Sequence, residues 1–317
     1  GLLLSGHTDT VPYDESGWDS EPLALLERDG VCYGLGTADM KGFFAAALHA
    51  VAAIDRDKLI RPLVLVGTSD EESGMDGMRA LVASEPHLGA HAIIGEPTGL
   101  APKRMHKGVM MERITLEGRA GHASDPSLGK SALEGMIAVA TELLALREDL
   151  ARKYRNEAFS VPHPTLNLGR IAGGDSPNRI CGRCALDVDL RILPGMVVEE
   201  VRSAIEARVR AVIGPRGLRG VVEPLVTPLP PFETPLDALI ARVAVEAAGA
   251  PLGSVLFGTE GPFLNAIGIE TVVLGPGSID VAHQPNENVS LADLERATRT
   301  YARIIERICM QDDALGA

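Results

Sequence analysis

The sequence predicts an α/β protein in which one body, a sheet with helices on its faces, carries a second, smaller unit inserted into it. Three observations point there. Short aliphatic runs alternate with helix-spaced segments over residues 1–107. The middle of the chain then changes rhythm to strand, helix, strand, strand, helix, strand, the order of a ferredoxin-like layer. A proline cluster (Pro224, Pro228, Pro230, Pro231, Pro235) closes that stretch as a linker before helix and strand patterns resume.

Each element has its own local cause. Leu2–Ser5, Leu63–Gly67 and Ala92–Gly95 are compact aliphatic runs closed by polar or glycine residues, which marks strands. Lys41–Ile54 and Met78–Ser84 carry helical spacing. Met111–Leu116, Thr165–Ile171, Ala185–Arg191 and Gly220–Leu225 read as strands, with Lys130–Arg147 and Val197–Val212 as the intervening helices. Pro235–Ala248 is helical, Thr271–Leu274 a strand and Leu291–Cys309 a closing helix. The simplest account is a domain inserted into another: 1–109 and 229–317 form the first, 110–228 the second. Gly1 leads directly into Leu2-Leu3-Leu4, which reads as mid-strand, so a preceding segment is expected; no charged and apolar leader pattern is read there.

Composition narrows the function. Of 317 residues, 45% are hydrophobic and 23% charged, enough apolar mass for a sizeable core. Aromatics are only 3%, so Leu, Val, Ile and Ala must build it. Thirty basic against 43 acidic side chains leave a net charge of −13, which argues against nucleic acid as a partner, since that needs a basic footprint. The longest clean apolar stretch, Phe43–Ile54, is far short of the ~20 residues that span a bilayer, so no membrane partner is expected. Four cysteines are too sparse to staple a fold and suggest reduced thiols in the cytoplasm. Cys181-Gly182-Arg183-Cys184 has no second pair and is read as buried thiols rather than a zinc knuckle.

Acid and imidazole groups cluster at predicted strand ends. His7-Thr8-Asp9 follows the first strand, and in extended backbone residues two apart face the same side. Asp39 precedes a helix, Asp70-Glu71-Glu72 follows the strand 63–67, Glu96 follows Ile93-Ile94-Gly95, and His283 lies in Val281-Ala282-His283-Gln284-Pro285. Each alone is the material of a cap or a solvated loop. Together, at comparable loop positions of one α/β body, this mixed set of imidazoles and carboxylates suits zinc better than calcium.

Gly6-His7-Thr8-Asp9-Thr10-Val11-Pro12, Gly36-Thr37-Ala38-Asp39-Met40-Lys41-Gly42 and Asp70-Glu71-Glu72 resemble the di-zinc aminoacylase and carboxypeptidase family, as do His106-Lys107-Gly108 and Gly121-His122-Ala123-Ser124-Asp125-Pro126. The resemblance runs along the whole chain. It implies a zinc-peptidase-like catalytic domain with a central mixed sheet flanked by helices, and an inserted ferredoxin-like domain that pairs two subunits into a homodimer. It implies two zinc ions per subunit, with cobalt or manganese as substitutes. His7, Asp39 and Glu96 would bind one, Asp39, Glu72 and His283 the other, and Asp9 would hold the His7 ring. A cis peptide at Asp39–Met40 also follows from it. Glu71 would be the general base for attack of a zinc-held hydroxide on an amide carbonyl. His122 would reach the partner's site to stabilise the oxyanion, Asn178 and Arg191 would take the substrate's carboxylate, and Gly258 and Thr259 would line its pocket. The expected substrate is a small N-acyl amino acid, N2-acetyl-L-ornithine, cleaved to L-ornithine and acetate in arginine biosynthesis. Succinyl-diaminopimelate desuccinylation and broad aminoacylase activity are alternatives, and a silent dimerisation or binding protein is the non-enzyme alternative.

Overall fold

The computed structural model describes residues 1–84 and 87–312, so the expected domain end at 317 lies outside the described residues. In chain order the strands are β1 (Leu2–His7), β2 (Leu26–Arg28), β3 (Val31–Tyr33), β4 (Leu63–Thr68), β5 (His91–Pro97), β6 (Lys103–His106), β7 (Gly108–Glu117), β8 (Thr165–Gly173), β9 (Arg183–Ile192), β10 (Arg219–Pro224), β11 (Phe232–Glu233), β12 (Gly253–Val255), β13 (Glu270–Gly275) and β14 (Asn288–Ser290). The helices are α1 (Gly42–Ala53), α2 (Asp76–Ala83), α3 (Ala132–Lys153), α4 (Val198–Arg216), α5 (Leu239–Ala248), α6 (Gly261–Ala266) and α7 (Leu291–Ile305).

Contacts divide the chain into two compact units. One comprises residues 1–105, 232–255 and those from Thr259 on; the other comprises 106–231 with Leu256–Gly258. The first is built on a mixed sheet of order β11-β6-β13-β5-β1-β4, with β12 paired to β6. β4, β1, β5 and β13 run parallel, and β6 runs antiparallel to β13. β1 and β5 are buried along their whole length, as expected of parallel strands covered on both faces. Leu2, Leu4, Ile93, Val272 and Leu274 pack with Phe43, Ala47, Ile240, Ala244, Tyr301 and Ile304 from α1, α5 and α7 into an aliphatic core with few rings. Tyr301, fully buried, donates its hydroxyl to the Leu274 carbonyl at 2.9 Å, which satisfies its polar end.

The second unit is an antiparallel sheet of order β10-β7-β9-β8, with α3 and α4 packed on it, in the chain order β-α-β-β-α-β. Along β9 burial alternates, with Cys184, Leu186, Val188, Leu190 and Ile192 inward. Ser131 caps α3 by accepting from the Glu134 amide, and Gly217 closes α4 in the left-handed conformation at φ 60°.

The structure departs from the sequence reading in places. The proline-rich stretch is tied down rather than a free linker: Pro224 ends β10, Leu229 bridges Val109, and Phe232–Glu233 is a strand. A three-stranded sheet, β14-β3-β2, was not expected. Its hairpin turns at Asp29-Gly30, where φ is 53° and 75°, the two-residue turn that Asp-Gly favours. The closing helix ends at Ile305 and widens into a π turn, Glu306–Met310. All four cysteines are buried and free, and among the described residues no helix is long and apolar enough to cross a membrane.

Candidate metal centre

Strand register builds the site. β1 lies between β4 and β5 in parallel, so their C-terminal ends share one edge of the sheet, where such folds gather their chemistry. His7, the last residue of β1, pairs with Thr68, the last of β4. The pairing of Ser5 with Ile94, carried on by two residues, sets His7 beside Glu96. Glu71 and Glu72 follow β4 just after Asp70 turns the chain at φ 65°. Asp39 comes from the kinked turn Thr37–Lys41 that leads into α1, and its peptide bond to Met40 is cis, as the resemblance implies. His283, itself left-handed at φ 60°, follows the short turn Ile279–Val281.

Two triads result. His7 Nε2 lies 3.0 Å from Asp39 Oδ1 and 4.0 Å from Glu96 Oε1. His283 Nε2 lies 3.2 Å from the other oxygen of Asp39, Oδ2, and 3.1 Å from Glu72 Oε1. Within each triad the candidate ligand atoms fall within 4.8 Å of one another. Asp39 thus offers one oxygen to each side. Imidazole nitrogens and carboxylate oxygens, three per side, fit a pair of divalent ions with coordination positions to spare. The Nδ1 of His7 is 3.1 Å from the Asp9 carbonyl, a bond that fixes the ring with Nε2 towards the carboxylates. The Asp9 carboxylate is farther, at 3.5 Å, and its Oδ2 accepts from the Glu72 amide at 3.2 Å.

Crowding of acids sets the electrostatics. Burial opposes charge on His7, but the bond to Asp39 and the charges of Glu71, Asp39 and Glu72 raise its pKa to about 9. Burial pushes the Glu71 carboxyl up to about 8; His7 opposes this, while Glu72, Glu260 and Asp39 add to it. Glu96 is driven well above the usual carboxylate range by burial and by Asp39 and Glu71. For Asp39 burial also raises the value, yet His7 wins and holds it below the usual range. Protons, in other words, do part of the work that cations would do here.

Of the residues singled out in the sequence, His7, Asp39, Glu72, Glu96 and His283 come together, with Asp9 and Glu71 at their side. His122, Asn178 and Arg191 belong to the inserted unit. There exposed His122 is 2.7 Å from the Ser124 hydroxyl through Nδ1, and the Ala123 amide donates to the Asn178 carbonyl at 3.0 Å. Arg191 forms a bidentate pair with Asp189 at 2.9 and 3.1 Å. Gly258 falls in the second unit and Thr259 in the first, where buried Thr259 accepts from the Gly261 amide at 3.1 Å.

Two residues escaped the sequence reading. Glu260 is buried beside the triads with neither carboxylate oxygen hydrogen-bonded. Burial raises it to about 7 and the charge of His7 opposes this, while the nearby Thr68 hydroxyl is committed to the Gly6 carbonyl at 3.2 Å. Glu287, also buried, accepts from three backbone amides of the Asp39 turn: Gly36, Ala38 and Asp39, each at 2.9 Å. Neither residue carries a motif that separates it from an ordinary loop acid.

Comparison with known proteins now decides the family. The sequence pattern described as Peptidase family M20/M25/M40 matches residues 3–307. The chain belongs to this family. Among named relatives, the acetylornithine deacetylase of Proteus mirabilis (strain HI4320) is 43% identical over 314 residues, covering 99% of this chain and 81% of that protein. The acetylornithine deacetylase of Yersinia pestis is 43% identical over 311 residues, covering 98% and 80%. Solved M20-like structures agree in fold. The aminopeptidase PepT of Bacillus cereus ATCC 10987 superposes with a TM-score of 0.75 at 21% identity, covering 96% of this chain and 80% of its own. The Bacillus subtilis YXEP protein, described as a dinuclear metal-binding peptidase of the M20 family, gives 0.68 at 14% identity, over 96% and 80%. This M20-family chain is a metal-binding hydrolase, which sets aside the silent binding protein.

Proposed function

We propose that this chain hydrolyses N2-acetyl-L-ornithine to L-ornithine and acetate at a two-zinc centre. The observation that carries the reading is the pair of imidazole–carboxylate triads sharing Asp39, with half-buried Glu71 beside them. The 43% identity to acetylornithine deacetylases supports the substrate. His7, Asp39 and Glu96 hold one ion; Asp39, Glu72 and His283 hold the other. Ions bound there supply a water of lowered pKa and a polarised amide carbonyl. Glu71 would take a proton from the attacking water as its oxygen bonds to the carbonyl carbon, and return it to the amine nitrogen as the C–N bond breaks. Burial and the neighbouring acids raise its pKa to about 8, and cations bound beside it would lower that value. His7 is kept in register by the bond from Nδ1 to the Asp9 carbonyl.

The inserted unit completes the reading. On α3, Leu133, Ile137 and Leu144 are exposed at helical spacing, an apolar stripe that supports pairing of two copies into a homodimer. His122 of the partner subunit is assigned to the oxyanion. Asn178 and Arg191 take the substrate α-carboxylate, which exchanges with Asp189 on the Arg191 fork, and Gly258 and Thr259 line the pocket. Four buried free thiols fit a reducing, cytoplasmic setting.

The test is a substrate panel. Purified protein with zinc is assayed for release of free amine from N2-acetyl-L-ornithine, N-succinyl-LL-diaminopimelate and a set of N-acetyl amino acids. Turnover of the first well above the others is expected. Preference for the succinylated substrate would replace the proposed activity with a desuccinylase, and even rates across the panel would make it a broad aminoacylase.

A further inference from the structure

The loop 283–287 joins a ligand of the outer triad to the turn that carries the shared ligand. At one end His283 faces Asp39 Oδ2 and Glu72. At the other, both carboxylate oxygens of Glu287 are filled by the Asp39 turn: Oε2 takes the Gly36 amide, and Oε1 takes the Ala38 and Asp39 amides. The backbone between is anchored elsewhere too. Asn286, left-handed at φ 63°, accepts from the Asp19 amide at 2.9 Å and donates to the Gly17 carbonyl at 3.2 Å. The Glu287 carbonyl accepts from the Gly34 amide at 3.0 Å, and the next residue enters β14, paired to β3. The small three-stranded sheet is therefore the frame from which Glu287 reaches the Asp39 turn.

We propose that Glu287 is a positioning residue for the two-metal centre, locking the shared ligand Asp39 and the outer ligand His283 into one rigid piece. The proposal rests on the reading of Asp39 as the ligand common to both ions. Three amide hydrogens converging on one buried carboxylate define where the Asp39 backbone sits, and hence where its two oxygens point. Loss of the carboxylate leaves those amides unpaired and frees the loop behind His283. The inner triad, whose His7 and Glu96 stand on strands, is touched only through Asp39. The effect is accordingly lopsided, strongest at the outer position.

The experiment is stepwise addition of Co²⁺ to metal-free protein, followed by visible absorption and by calorimetry, in the parent, Glu287→Gln and Glu287→Ala, with thermal unfolding of each metal-free form. In Glu287→Gln the amide oxygen can still take the Ala38 and Asp39 hydrogens, but its NH₂ meets the Gly36 amide donor to donor. Expected is a loss of about 10–100-fold in affinity for the outer ion, the scale typical of residues that orient metal ligands, with a smaller loss at the inner one and an altered cobalt spectrum. Glu287→Ala, if it folds, loses more. Two unchanged binding steps in Glu287→Gln would overturn the proposal, as would an equal loss at both positions. A parent that binds no pair of ions would instead overturn the reading beneath it, so the two failures are distinguishable.

Discussion

The inner and outer triads share Asp39 yet are held in opposite ways. The inner one is interior: His7, Asp39 and Glu96 are only 1%, 6% and 4% exposed, and two of the three stand on strands of the central sheet. The outer one stands on loops, with the Glu72 side chain 12% and the His283 side chain 48% exposed. The difference teaches that one of two triads sharing a residue can be part of the folding core while the other is an attachment to it. Buried charges are tolerated only as a set, because removing one strands the rest in a low dielectric. Exposed ligands can be lost with water taking their place.

The largest effect tests a residue outside both triads. Glu71→Ala should lower turnover by about 10²–10⁴-fold, the range for a lost general base, while both ions stay bound; steady-state rates with metal analysis check this. Near-normal turnover in that variant would sink the general-base role. His7→Ala comes next, because it removes the imidazole between Asp39 and Glu96. Breaking such a buried pair typically costs about 3–5 kcal/mol, so urea unfolding of the metal-free variant should register a loss of that order together with a lost ion. His283→Ala, at the exposed end, should halve the bound metal and move unfolding by less than about 1 kcal/mol. If His283→Ala destabilised the fold as much as His7→Ala, the contrast between the triads would fail.

A smaller effect follows from protonation. His7 and Glu71 both have folded pKa values above their ordinary ones, about 9 against 6.5 and about 8 against 4.5. A raised pKa contributes stability that is complete below the unfolded value and lost as pH rises through the folded one. The metal-free protein should therefore melt at a lower temperature at pH 9 than at pH 6, and saturating zinc should flatten that slope by taking over from the protons. A metal-free melting temperature that rose towards pH 9 would contradict the assignment.

Much of this was legible in the sequence because it depends on local order. The aliphatic runs Leu2–Ser5, Leu63–Gly67 and Ala92–Gly95 announced strands, each shortly before an imidazole or acid, and parallel neighbours must bring their ends together. The β-α-β-β-α-β rhythm was likewise visible in periodicity alone. What stayed hidden depends on distant pairing. Glu287 is an ordinary loop acid until β14 docks on β3 and carries it to amides about 250 positions away in sequence. Glu260 sat in a turn read for its glycines and threonine, and only tertiary burial makes its unpaired carboxylate notable. The Asp29-Gly30 hairpin had a local signal, but strands as short as Leu26–Arg28 and Val31–Tyr33 are too brief to stand out by alternation.

The measurement that bears most directly on the whole is a zinc titration of metal-depleted protein, following bound metal and ornithine release from N2-acetyl-L-ornithine in the same samples. The two-triad centre predicts no turnover without metal, activity that grows as ions bind up to two per chain, and a Glu71→Ala protein that fills both positions in silence. Full turnover in the absence of metal, or a metal content that Glu72→Ala and His283→Ala leave unchanged, would contradict it.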